Sequence, residues 1–109
     1  MKNKIITEFV KIEALQTTID EQIKLKADVI NNFLQQQDGF INAELVKAVD
    51  GNIWHFIYHI ENFEKLKVIG ERMRSSKMFD EIIPFIVPDS LCVSFYTQLK
   101  TWQVSSVNN

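Results

Sequence analysis

The segment Ile53-Trp54-His55-Phe56-Ile57-Tyr58-His59-Ile60 decides the fold of this chain. It reads as a strand, and side chains alternate along a strand, so Trp54, Phe56, Tyr58 and Ile60 point one way while Ile53, His55, Ile57 and His59 point the other. Both faces are bulky. A chain of 109 residues with two or three helices covers only one face of its sheet. The other face, still largely apolar, needs cover from a second chain. The expectation is a homodimer joined through the sheet face opposite the helices, with a small-molecule cavity between the two sheets.

Working outward, Asp50-Gly51-Asn52 is a hairpin turn, because Gly accepts a positive φ without a Cβ clash. Residues 40–49 precede it as a strand, with Ile41, Ala43 and Leu45 on one face and Phe40, Asn42, Glu44 and Val46 on the other. Residues 4–13, rich in β-branched and aromatic types, form the first strand. Between these strands, Thr18 and Glu21 make a capping box for a helix. Its stripe is Ile19, Ile23, Ala27, Ile30 and Leu34, broadened by Phe33. Gly39 ends that helix region. Asn62 caps a second helix over 63–74 with Phe63, Leu66, Ile69 and Met73 inward, and Ser75 or Ser76 caps a short third one holding Met78, Phe79, Ile82 and Ile83. Pro84 and Pro88 bracket an extended crossing. Residues 90–102 give the last strand, with Leu91, Val93, Phe95 and Leu99 under the helices and Cys92, Ser94, Tyr96 and Gln98 opposite. The order β-α-β-β-α-β is an α+β, ferredoxin-like arrangement with a four-stranded antiparallel sheet. Residues 1–102 form one domain and 103–109 a polar tail. For the first and third strands both faces are apolar enough that the sequence leaves their orientation open.

Apolar residues make up 46% of the chain and charged residues 24%, with a net charge of −2. There is no basic stripe, so nucleic acid is not an expected partner. The single cysteine, Cys92, excludes an internal disulfide and suits a reducing, cytoplasmic setting. No apolar run approaches the roughly 20 residues of a membrane span, so no membrane contact is expected. Phosphate loops, nucleophile elbows and zinc-protease spacings are all lacking.

The residues able to carry chemistry are few. His55 and His59 share one strand face, but four residues of strand span roughly 13 Å, too far for one metal whose bonds are about 2 Å. No metal site is expected. Either histidine can act as a general base near neutral pH. Glu44, mid-strand with Asn42 two residues before it, would have a raised pKa inside a cavity and take a substrate proton. Ser94 and Tyr96 present hydroxyls about 7 Å apart on one face, suited to a phenolic or quinone oxygen. Trp54 and Tyr58, with Phe56 between them, would box a flat ligand. Each also has a plain structural reading, as core, satisfied hydroxyl or solvated edge.

Three segments carry a resemblance. Gly39-Phe40-Ile41-Asn42-Ala43-Glu44-Leu45, the hairpin Asp50-Gly51-Asn52 with the aromatic strand after it, and Ser75-Ser76-Lys77-Met78-Phe79 followed by Ile82-Ile83-Pro84-Phe85-Ile86 resemble the antibiotic biosynthesis monooxygenase family over about residues 4–101. The resemblance implies a dimeric α/β barrel and a cofactor-independent monooxygenase, in which O₂ reacts directly with the carbanion of a small aromatic or polyketide-like substrate. Glu44, His55 or His59 would be the base, Ser94 and Tyr96 the oxygen partners, and Asn42, Trp54 and Tyr58 further substrate contacts, with no cofactor. The alternative is a non-catalytic small-molecule-binding or stress-related dimer of the same shape.

Overall fold

The computed structural model describes residues 4–104. Its elements are β1 (Ile6–Glu13), α1 (Asp20–Leu34), β2 (Phe40–Lys47), β3 (Ile53–Ile60), α2 (Phe63–Ser76), a 3-10 segment (Met78–Phe85) and β4 (Cys92–Thr97). The strands form one antiparallel sheet in the order β2-β3-β1-β4, the ferredoxin-like arrangement. No described helix is long and apolar enough to cross a membrane.

Register settles the two strands that the sequence left open. Ile6 lies opposite Ile60, Val10 opposite Phe56 and Ile12 opposite Trp54, and all six are buried beneath the helices. Burying each such side chain is worth about 1.5–3 kcal/mol, so a one-residue slip, which would turn the whole set outward, is strongly disfavoured. Against this row pack Ile23, Ile30 and Leu34 of α1, Leu66, Ile69 and Met73 of α2, and Ile82 of the 3-10 segment.

Local chemistry moves several expected positions. The register of β2 on β3 shifts between Phe40 and Asn42, a bulge that leaves Ile41 outside the alternation. Phe40, not Ile41, therefore packs against the core, and Ile41 is exposed. The expected Thr18–Glu21 box is not made. The Thr18 hydroxyl instead donates to the Phe85 carbonyl at 2.7 Å, tying the first connection to the 3-10 segment. Helix α1 starts one residue later, where the Gln22 side chain accepts from the Ile19 amide at 2.9 Å. Neither Ser75 nor Ser76 caps the 3-10 segment, since α2 runs through both and ends at Lys77 in the left-handed conformation (φ 57°). β4 stops at Thr97, so Leu99 lies beyond the sheet and is exposed. Of the expected tail 103–109, Gln103 and Val104 are exposed and the other five residues lie outside the described range.

Other expectations hold. Gly51 has φ 105° in the hairpin, and Gly39 has φ 93° where the chain turns from α1 into β2. The Asn62 side chain accepts the Lys65 amide at 2.9 Å and caps α2.

Candidate active site

Two cross-strand rows on the inner, helix-covered face build the site. One runs Ala43, Tyr58, Glu8, Phe95 across β2, β3, β1 and β4; the next runs Leu45, Phe56, Val10, Val93. Helices α1 and α2 cover the sheet unevenly. The inward residues of β4 stay partly open, with Val93 41% and Phe95 54% exposed. The result is a cleft of about 550 Å³ between β1 and β4 on one side and α2 with Phe79 on the other. Its walls are mainly apolar, from Val10, Leu66, Met73, Leu91 and Phe95, while Lys67, Glu71 and Arg74 of α2 also line it.

Glu8 is the one acid that β1 turns toward the helices, in a sequence of inward positions otherwise made of Ile6, Val10 and Ile12. It lines the cleft, and burial pushes its carboxyl from 4.5 up to about 7. A carboxyl poised there both releases and takes a proton at neutral pH, the property general acid–base chemistry needs. Directly opposite on β3 stands Tyr58, 3% exposed, whose hydroxyl is buried with no hydrogen-bond partner among the described residues. Burial first, and the negative charge of Glu8 second, push the Tyr58 pKa well above its ordinary value. Tyr58 therefore stays a neutral phenol and a donor with nothing to donate to.

The residues singled out from the sequence divide between the two faces. On the open face, one row is Asn42, His59, Thr7, Tyr96; the next is Glu44, Ile57, Phe9, Ser94; the third is Val46, His55, Lys11, Cys92. Glu44, His55, His59, Asn42, Ser94 and Tyr96 thus share one surface. His59 Nδ1 and Thr7 Oγ1 share a hydrogen bond of 3.1 Å. The Phe9 ring meets His55 edge-on at 6.2 Å and Tyr96 at 5.3 Å. Trp54 and Tyr58 sit on the other side of the sheet, among the core residues, and Trp54 carries the Lys47 ammonium 5.4 Å above its ring. Among the described residues no group of three or more His, Cys, Asp or Glu side chains is arranged to hold a metal ion. Glu8 was not among the residues the sequence singled out, although its shared parity with Ile6, Val10 and Ile12 is a signal that could have found it.

No protein-family model matches the sequence, and no curated protein matches it. Solved structures do match in fold. SnoaB, a cofactor-independent oxygenase from Streptomyces nogalater, superposes with a TM-score of 0.75 at 11% identity, over 90% of this chain and 96% of that one. A monooxygenase of Streptomyces coelicolor, solved with the ligand nanaomycin D, gives 0.76 at 15% identity over 94% of each chain. A structure from Nitrosomonas europaea, described as a candidate antibiotic biosynthesis monooxygenase, gives 0.72 at 10% identity over 91% and 94%. The chain has the fold of the antibiotic biosynthesis monooxygenase structures, as its sequence patterns suggested. At these identities the likeness is one of fold, and fold does not specify substrate.

Proposed function

We propose that this protein is an oxygenase that works without a bound cofactor on a small aromatic or polyketide-like substrate, held in the inner cleft between β1, β4 and α2. The observation that carries the reading is Glu8, a carboxyl with its pKa raised to about 7 at the wall of an apolar cleft. Its carboxylate takes a proton from an acidic C–H conjugated, directly or through an aromatic ring, with a substrate carbonyl. The resulting carbanion, delocalised as an enolate, gives its electrons to O₂ and a C–O bond forms. Glu8 returns the proton to the peroxide, whose O–O bond then breaks with loss of water. A CH₂ group and O₂ become a C=O group and water, with the substrate as the only reductant. The apolar walls exclude water from the carbanion, and a phenol such as Tyr58 is suited to hydrogen-bond the enolate oxygen.

We propose further that the open sheet face pairs with a second copy of the chain, giving the dimeric barrel. Phe9, Ile53 and Ile57 are among the side chains such a contact would cover, and Glu44, His55, His59, Asn42, Ser94 and Tyr96 would lie at or near it. Oxygen uptake with a panel of naphthols and anthrones, and no added cofactor, tests the activity. A Glu8→Gln variant should lose about 10²–10⁴ in rate, the usual worth of a positioned base. Uptake that is unchanged in this variant would remove Glu8 from the chemistry. Ligand binding without uptake by the wild type would favour the non-catalytic reading.

A further inference from the structure

We infer that Tyr58 is a specificity-determining residue of this same site: it divides one longer trough in two, and it donates its hydroxyl to a carbonyl oxygen of the bound ligand. The inference rests on the inner cleft being the ligand site. A second cavity of about 280 Å³ lies on the α1 side of the sheet, lined by Ala43, Leu45, Phe56 and Tyr58 with Ala27 and Asn31 above them. On the sheet, the α2-side cleft is lined by Glu8, Val10, Val93 and Phe95. Apart from Glu44, which also lines the α1-side cavity, the strand residues of the two cavities are the same two cross-strand rows, read in two halves. A single trough therefore crosses the sheet, interrupted between β3 and β1.

The interruption is aromatic. Phe56 and Tyr58 are 2% and 3% exposed, and Phe79 from the 3-10 segment meets the Phe56 ring edge-on at 5.8 Å. Only Tyr58 brings a polar group to this divider, and its hydroxyl is buried without a partner. Buried hydroxyls are almost always satisfied, and leaving one bare is costly. A core position asking only for an aromatic ring would be better served by Phe. The geometry is that of a donor kept in reserve for an acceptor that arrives with the ligand, beside the carboxyl that would take its proton. A flat ketone fits both groups.

Calorimetric titration of the full chain tests this with three stable probes: tetralone, its carbonyl-free counterpart tetralin, and the longer fluorenone. Tyr58→Phe should lower the tetralone-to-tetralin affinity ratio by about threefold to tenfold, the range for one neutral hydrogen bond. Because the hydroxyl is unpartnered in the free protein, this variant should melt no lower than the wild type. Tyr58→Ala should raise the affinity for fluorenone relative to tetralone by opening the divider. A wild-type ratio retained in Tyr58→Phe would overturn the inference, and so would a wild type that binds neither ketone. If Tyr58→Ala fails to fold, Tyr58→Phe alone decides. None of these titrations reads oxygen uptake. Ketone binding with the expected Tyr58 dependence but no uptake would sink the oxygenase reading and leave the inference standing; uptake with no Tyr58 effect would do the reverse.

Discussion

Replacing Glu8 with Gln keeps the shape of the side chain and removes its charge. The folded protein holds the Glu8 proton up to about pH 7, whereas the unfolded chain releases it near its ordinary value of 4.5. Between those values the folded state binds more protons than the unfolded state, so the Glu8 contribution to stability falls as pH rises through the window. Above about pH 7 both states are ionised and the loss is complete. At 1.36 kcal/mol per pH unit the ceiling is about 3 kcal/mol, reduced by whatever hydration the partly exposed carboxyl keeps. Urea unfolding of wild type and Glu8→Gln, followed by circular dichroism across the range, isolates this contribution, because the other carboxylates are common to both proteins. The two should be about equally stable near pH 4.5. By about pH 8 the variant should be more stable by about 2–3 kcal/mol. A difference that stays constant with pH would refute the buried-carboxyl reasoning.

Four further outcomes are expected. Gly39→Ala should destabilise by about 1–3 kcal/mol in thermal or chemical unfolding, because φ is 93° there and the new Cβ would meet Lys65 Cβ at 2.6 Å. Gly70→Ala, inside α2 with only Arg74 Nη1 at 3.6 Å, should instead stabilise by about 0.5–1 kcal/mol. Asn62→Ala removes the cap on the Lys65 amide and should cost about 1 kcal/mol by the same assay. Ile57→Asp, in the middle of the open face, should convert a dimer to a monomer in sedimentation velocity with the helical circular dichroism signal intact, whereas a persisting dimer would contradict the proposed contact.

The element order, the hairpin at Gly51 and the Asn62 cap were all legible, because each rests on short-range chemistry that the sequence states directly. So were most faces of β2 and β4, where polar and apolar residues alternate. Ile53–Ile60 and Ile6–Glu13 were harder: apolar bulk on both faces leaves the choice to tertiary packing. The bulge that swaps Phe40 for Ile41 has no local marker. The site was the least legible part. The two histidines drew attention to the open face because of their chemistry, while Glu8 reads as one polar residue among Thr7, Lys11 and Glu13. Only pairing with Tyr58, 50 residues further along the chain and directly opposite Glu8 in the register of β1 and β3, brings out its burial.

The most direct measurement is a ¹⁵N-resolved NMR titration of the intact protein with a naphthol or anthrone that supports oxygen uptake. If the inner cleft holds the substrate, the largest shift changes fall on Glu8, Gly70, Met73, Leu91 and Val93. Changes centred instead on Asn42, Glu44, His55 and Ser94 would move the chemistry to the open sheet face and contradict the assignment of Glu8.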